Sequence, residues 1–185
     1  MRGNNRIAVY FAGFLMGMLL VSLIMSRRAA REQAGADPWL EHNAAMVAAG
    51  AEPLPERVPE SMQQGLIIDY GQLPDEAAPR ERVWLLKFEE SYPYVRVVEG
   101  IAGGELSYMA ADQIKITLPE GVDVTELKPM LDELGLRLRM FNRKEKIAVV
   151  GVLHTGISAV PDTLAAIQPW AELYEKAEPD WIVFK

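Results

Sequence analysis

An uncharged apolar segment near the N-terminus limits how this chain can fold more than any other feature does. The segment runs from Ile7 to Ser26, and as a helix its 20 residues span about 30 Å, the thickness of the hydrocarbon core of a membrane. A cleaved signal peptide has a shorter apolar region with a small-x-small site close behind it, whereas this segment ends in Arg27 and Arg28. We therefore predict that residues 1–31 form an uncleaved, single-pass transmembrane anchor with arginine flanks.

The charges beside the segment do not determine its orientation in the membrane. Two arginines precede it and three follow it, so the positive-inside rule favours neither direction. We expect the rest of the chain to lie outside the cytoplasm, in the periplasm of a bacterial cell. Within the segment, Gly13 and Gly17 form a G-x-x-x-G pattern that would let two helices meet in a weak homodimer, although chance produces the same spacing in many membrane helices.

The charge of the chain is strongly uneven. The five basic residues among the first 31 are all arginines and no acid accompanies them, which leaves 14 Lys and Arg against 26 Asp and Glu, a net charge of −12, from Glu32 onward. Binding to nucleic acid requires basic surface that neutralises phosphates, so we exclude nucleic acid as a partner. The chain has no cysteine, which excludes disulfides and cysteine-ligated zinc, and we predict neither a metal site nor a cofactor.

Residues 32–79 have the composition of a tether. Six prolines interrupt this stretch, with acidic residues and alanines between them. We predict one short helix there, from Pro38 to Ala49 with Gly50 as its stop, and one strand in the sequence LIIDYG. His42 stands among acids and alanines, and we interpret it as an exposed linker residue.

A β-rich pattern begins near residue 80. Runs of β-forming residues, separated by proline and glycine, predict an antiparallel meander with strands Val83–Glu89, Tyr94–Glu99 and Glu105–Ala110. Farther on, alternating apolar and polar residues predict a strand in QIKITL and another in LRLRMF, the latter with Leu136, Leu138 and Met140 directed inward. An apolar run predicts a strand in IAVVGVL, and the chain closes with a predicted strand in DWIVF.

Two helices are predicted between these strands. In GVDVTELKPMLDELG, Asp123 and Glu126 suit a capping box and Gly135 is a stop, although Pro129 fits only if the helix starts late or bends. SAVPDTLAAIQPW predicts a second helix with a proline in its first turn. The order β-α-β-β-α-β predicts an α+β fold, namely a ferredoxin-like domain with an N-terminal antiparallel β extension, both within residues 80–185.

The strand in IAVVGVL is apolar on both faces. It directs Ile147, Val149 and Gly151 to one face and Ala148, Val150 and Val152 to the other. In a ferredoxin-like domain the helices cover only one face of the sheet, so a strand of this kind needs a second cover. We expect either the meander Val83–Ala110 or a partner protein to cover Val150 and Val152.

The sequence contains no arrangement of residues that indicates catalysis. It lacks G-x-S-x-G, H-E-x-x-H, the phosphate-binding loop and the dinucleotide-binding G-x-G-x-x-G. His154 lies between an apolar strand and a helix, where we interpret it as a hydrogen-bonding loop residue. We predict that the protein is not an enzyme.

The C-terminal part of the chain resembles the propeptide domain of subtilisin-like serine proteases, including the fervidolysin-type prodomain. The likeness lies in MAADQIKITLPEGVD, in LDELGLRLR and in the closing YEKAEPDWIVF. In the last of these, the residues Ala177-Glu178-Pro179-Asp180-Trp181 match the closing motif of the family in order. The likeness covers roughly residues 108–185, and no motif of the protease domain itself is present.

Propeptides of this family assist the folding of their protease and then inhibit it. The resemblance implies that Glu178 and Asp180 cap the N-termini of two helices on the enzyme, where unpaired N–H groups attract carboxylates. It also implies that the tail lies in the substrate cleft as an added strand, although the chain ends only five residues after Asp180. That tail consists of Ile182, Val183, Phe184 and Lys185. The alternative for the two acids is a solvated turn before the last strand.

Two hypotheses about function remain open. In the first, the chain is a membrane-anchored, propeptide-like domain that binds a separate subtilisin-like protease and inhibits or chaperones it. In the second, it is a non-catalytic assembly or scaffold subunit of a bacterial envelope complex, whose partner docks on the open sheet face or the helix edges. The second rests on the layout of an anchor followed by a ferredoxin-like domain, and a fold does not fix a function.

Overall fold

The computed structural model describes Met18, Val21, Ser22 and residues 38–74, 80–89, 92–100 and 104–184. The chain divides into two units, Met1–Glu41 and His42–Lys185. Most of the predicted anchor Ile7–Ser26, including Gly13 and Gly17, lies outside the described residues, and its three described positions are helical. None of the helices in the described part of the chain combines the length and the apolar character needed to cross a membrane.

The second unit is built on one antiparallel sheet of seven strands, which confirms the predicted α+β class. The strands are β1 (Leu66–Leu73), β2 (Glu81–Lys87), β3 (Tyr94–Gly100), β4 (Leu106–Thr117), β5 (Leu138–Asn142), β6 (Ile147–Gly151) and β7 (Lys176–Trp181). Their order is β1-β2-β3-β4-β6-β5, and β7 pairs with β4 outside this path. The helices are α1 (Pro38–Ala48), α2 (Glu60–Gln63), α3 (Lys128–Leu134) and α4 (Ala159–Ala166), with 3₁₀ turns at Val124–Leu127 and Gln168–Leu173.

The 12-residue strand β4 joins the two halves of the sheet. Its first half pairs with β3, its second half pairs with β6, and β7 pairs with it at Met109 and again at Ile114–Thr117. Met109 pairs with both Arg96 and Trp181, so β3 and β7 lie on opposite edges of β4. The meander β1–β3 therefore belongs to the same sheet and joins it through β4.

The sequence predicted two strands where β4 is one. The first predicted strand ended at Ala110 and the second began at Gln113, but Ala110 and Ala111 are fully buried and lie within one strand. Small side chains here reflect close packing around β4, where β3, β6 and β7 all meet it.

The helices pack against the sheet and form a hydrophobic core, and the capping signals predicted from the sequence are present in the structure. Asp123 accepts a hydrogen bond from the N–H of Thr125, and Glu126 completes the capping box. The helix begins in a 3₁₀ turn, so Pro129 falls in the first turn of α3, where it costs no hydrogen bond. The buried residues of this core include Ile114, Ile116, Met130, Leu131, Ala148, Val150, Val160 and Ile167, with Val83 and Val98 of the meander.

A second core lies on the meander, and part of the predicted tether builds it. Val58 and Ile67 are 2 % exposed and pack with Trp84, Leu86 and other meander residues. The tether interpretation is therefore wrong for residues 42–73, which include strand β1 and belong to the folded unit. Prolines and alanines suggested a linker because they break regular structure, but they do not prevent an irregular segment from packing.

Polar contacts fasten this segment to the meander. The indole N–H of the fully buried Trp84 donates to the carbonyl of Glu52 at 2.7 Å. The guanidinium of Arg82 contacts the carboxylates of both Glu52 and Glu99, and Arg57 pairs with the same buried Glu99. A buried acid with two arginine partners is well compensated, which supports a fixed position for the segment.

The helices and the meander both contribute to the cover of β6. Val150 lies fully buried in the core to which the helices and Val83 and Val98 of the meander contribute, and Val152 packs against the same core. On the opposite face Val149 is 4 % exposed, and its register partners are Lys115 and Met140.

Candidate functional site

Strand β7 contains the two acids that the resemblance identified. The strand is Lys176–Trp181, so Glu178, Pro179 and Asp180 lie within it and not in a turn before it. The sequence placed the strand later because proline cannot donate a ladder hydrogen bond. At the edge of a sheet that donor is not required, and Pro179 sits opposite Ile114 in register with β4.

Asp180 is held inside the fold. It is 3 % exposed, its Oδ1 lies 2.6 Å from Nζ of Lys115, and its Oδ2 accepts a hydrogen bond of 2.5 Å from Nε2 of Gln113. Both partners belong to β4, which runs alongside β7. The predicted capping of a partner helix by Asp180 would break both contacts, so this geometry does not support that role.

Glu178 is in a different environment from Asp180. Its side chain is 29 % exposed, and its carboxylate lies 2.7 Å from Nζ of Lys176 on the same strand. An ion pair at the surface contributes little to stability and exchanges readily with other partners. Of the two predicted contact acids, Glu178 therefore remains accessible.

The tail lies along the first half of β4. The N–H of Ile182 donates to the carbonyl of Tyr108 at 2.9 Å, and the ring of Phe184 meets the ring of Tyr108 edge-on, with centroids 4.9 Å apart. Val183 is 78 % exposed, and Lys185 lies outside the described residues. Insertion of the tail into a protease cleft would have to detach Ile182 and Phe184 from Tyr108.

His154, Ser158 and Asp162 lie together at the start of α4 but lack the geometry of a catalytic relay. The hydroxyl of Ser158 donates to Oδ2 of Asp162 at 2.7 Å and lies 3.4 Å from Nε2 of His154, which is 3.5 Å from the same carboxylate oxygen. In a relay, serine and acid contact opposite nitrogens of the imidazole. Here both face Nε2, and the serine proton is directed at the acid.

Among the described strands, β1 and β7 lie at edges of the sheet and have features that hinder the addition of a further strand. On β1, the N–H of Ile67 donates to Oδ1 of Asn43 at 2.8 Å, and Nε2 of His42 lies 3.0 Å from the carbonyl of Ile67. His42 thus belongs to the folded unit and is not a linker residue. On β7, Pro179 presents no N–H, and charged neighbours flank it. Such devices block the addition of a further strand.

The edge of β5 contains no proline, and among the described residues no side chain is hydrogen-bonded to its backbone, although charged residues flank it as they flank β7. Within the described residues, β5 pairs with β6 alone. Leu138 is 40 % exposed and Met140 is 58 % exposed, although the alternation predicted that both point inward. A register shift between them aligns Leu138 with Val150 and Met140 with Val149, so they flank the edge on opposite faces.

The evidence for a site at β5 is its geometry and its charge. Comparisons with protein-family models, with curated proteins and with solved structures found no match. Two signals in the sequence point to this site. In the order β-α-β-β-α-β the second strand lies at a sheet edge, and the alternation of arginine and leucine indicates that one face of that strand is polar.

The β5 hairpin also differs in charge from the chain as a whole. Between residues 137 and 146 it contains five basic residues and one acid, in a chain of net charge −7. The basic residues are Arg137, Arg139, Arg143, Lys144 and Lys146. Arg139 is already engaged, by the carboxylate of Asp112 and by Oε1 of Gln113 at 3.1 Å. The others give this edge a positive potential within an acidic protein.

Proposed function

We propose that this protein is a non-catalytic, membrane-anchored binding subunit that pairs an extended segment of a partner protein with the free edge of β5. The observation that carries this proposal is the exposure of Leu138 and Met140 beside a strand edge that no other described element pairs with. Exposed apolar side chains next to unpaired backbone groups are the features of a strand-addition site. This develops the second of the two hypotheses, that of an assembly subunit.

The partner segment is acidic and extended. The unpaired N–H and C=O groups of β5 supply main-chain hydrogen bonds, and Leu138 and Met140 offer packing on the two faces of an added strand. A second copy of β5 would place arginines against arginines, which is unfavourable across a strand pair. Acidic side chains at those positions would instead meet Arg137 and Arg143, and complementary charge selects a partner more than it adds affinity.

The fold assignment supports this role. We propose a ferredoxin-like arrangement for residues 106–181, and the strand order β7-β4-β6-β5 and the shared core of α3 and α4 support it. We retain Ile7–Ser26 as the transmembrane anchor on its sequence, and we propose that the folded unit lies outside the cytoplasm. An anchor of this kind would hold the β5 edge near partners in a bacterial envelope complex.

Site-specific photo-crosslinking in the full-length protein in its native cells tests the proposal. A photoreactive amino acid replaces Met140 in one variant and Val183 in a second, and both positions are exposed. We expect a protein adduct from position 140 that is lost in an Arg137→Glu/Arg143→Glu background. Adducts from position 183 with none from position 140 would rule out the β5 edge as the binding site.

A subtilisin-like protease is the second candidate partner. What favours it is the accessible end of the last strand, where Glu178, Trp181 and Val183 are all partly or largely exposed. This is the region that contacts the enzyme in the family that the chain resembles. The full-length protein would then inhibit a subtilisin-like protease encoded beside it, and Glu178→Ala would weaken the inhibition. Equal protease activity with and without the protein removes this candidate.

A further inference from the structure

A cavity lies between the meander and the start of α4. Its volume is about 260 Å³, and it is lined by Leu73, Pro74, Glu81, Arg96, Ser158, Pro161 and Asp162. Cavities that enclose drug-sized ligands measure about 300–1,000 Å³. This one therefore suits a ligand of roughly the size of an amino acid.

Arg96 is the buried charge in this cavity. It is 6 % exposed, its Nε donates to the carbonyl of Ile157 at 2.8 Å, and one terminal nitrogen lies 3.3 Å from the sulfur of Met109. A thioether is a weak acceptor, so the second of these contacts binds the guanidinium only weakly. Burial lowers the pKa of Arg96, an effect that the charge of Glu81 partly opposes.

Within the described part of the chain, no carboxylate lies within ion-pair distance of Arg96. None of the ion pairs among the described residues involves Arg96, whereas the buried Glu99 has two arginine partners and the buried Asp180 has Lys115. Proteins ordinarily pair the charges that they bury, because an unpaired one is costly. An arginine that is buried, unpaired and facing a cavity is therefore suited to receive an anionic group from a ligand.

The rim of the cavity has the opposite charge. Glu81 and Asp162 are exposed and acidic, while Leu73, Pro74 and Pro161 give the lining an apolar side. A simple anion would be attracted by Arg96 but repelled by the acidic rim. A simple cation would be attracted by the rim but repelled by Arg96. A ligand that carries a carboxylate and an ammonium group satisfies both regions.

We propose that this cavity binds a small zwitterion of the α-amino acid class. The ligand carboxylate lies on the guanidinium of Arg96, its ammonium group faces Glu81 and Asp162, and its apolar side chain packs against the leucine and prolines. This site is independent of the β5 edge, because it uses different residues and takes a different class of ligand.

Calorimetric titration of the full-length protein with three related probes tests the proposal. L-Leucine carries both charges, N-acetyl-L-leucine carries only the carboxylate, and L-leucinamide carries only the cation. We expect L-leucine to bind saturably and each single-charge probe to bind at least about tenfold more weakly, since each loses a charge-assisted hydrogen bond. Equal binding of the three probes, or no saturable heat with L-leucine, L-valine or L-methionine, would overturn it.

Two variants locate the site. Arg96→Met is expected to abolish binding of L-leucine, and Glu81→Gln to weaken it about tenfold, while the exposed Glu120→Gln serves as a matched control with unchanged affinity. Glu81 is exposed, so its variant remains informative if Arg96→Met does not fold. Unchanged affinity in Glu81→Gln together with unchanged affinity in a folded Arg96→Met would place leucine elsewhere.

Discussion

Replacement of Asp180 by alanine distinguishes an internal role from a binding role for this acid. The carboxylate accepts from Gln113 at 2.5 Å and pairs with Lys115 at 2.6 Å, and the residue is almost completely buried. Asp180→Ala removes both contacts and leaves the ammonium group of Lys115 without its partner. The expected result is a less stable fold, whether or not a binding partner is present.

The magnitude follows from the burial of the two partners. Removing one member of a buried ion pair costs about 3–5 kcal/mol, because the other charge stays buried. The side chain of Lys115 is 34 % exposed, so water partly solvates its ammonium group once Asp180 is gone. We therefore expect Asp180→Ala to lower the free energy of unfolding by about 2–4 kcal/mol. Asp180→Asn, which retains an acceptor for Gln113, should cost about 1–2 kcal/mol.

Urea unfolding of the full-length protein measures these differences from the shift of the midpoint at constant slope. Glu178→Ala is the matched control on the same strand, because its surface pair with Lys176 should contribute less than about 1 kcal/mol. In a double-mutant cycle with Lys115→Met, the two changes should be non-additive, since the residues are in contact. Equal midpoints for Asp180→Ala and wild type would show that the contacts of Asp180 with Gln113 and Lys115 do not stabilise the fold.

Two further predictions concern the packing of residues 42–73. Trp84→Phe should lower the free energy of unfolding by about 2–4 kcal/mol, because it leaves a cavity and an unpaired carbonyl at Glu52, and urea unfolding with fluorescence detection measures it. The hydrogen bond from Arg82 lowers the pKa of Glu52, so its contribution to stability is complete above the unfolded value of about 4.3 and is lost as the pH falls through the lower folded value. Glu52→Gln should abolish that part of the acid sensitivity, and an unchanged pH profile in this variant would contradict the assignment.

Local signals in the sequence predicted the C-terminal half well. Asp123, Glu126 and Gly135 mark the ends of a helix through short-range hydrogen bonds and a left-handed backbone at φ 66°, so neighbouring residues suffice to define it. The alternation in QIKITL likewise depends on one buried face, and Ile114 and Ile116 are both fully buried. Patterns of this kind do not require knowledge of distant contacts.

Long-range contacts account for what the sequence could not predict. Residues 42–73 have the composition of a linker, but they pack because Glu52 and Arg57 find partners in Trp84 and Glu99. Both partners lie more than 30 residues farther along the chain. Asp180 looks like a solvated acid because Lys115 lies on a strand that precedes it by more than 60 residues. The alternation of apolar and polar residues predicted that Leu138 and Met140 are buried. It could not predict that β5 lies at a sheet edge with a register shift, which leaves both side chains exposed.

Amide hydrogen exchange tests the central claim, strand addition at β5, most directly. Exchange is measured in the full-length protein alone and in complex with the partner captured through position 140. We expect slower exchange across Leu138–Asn142 in the complex, because added main-chain hydrogen bonds protect those amides, and no change across Lys176–Trp181. Protection confined to Lys176–Trp181, with the β5 amides unchanged, would contradict it.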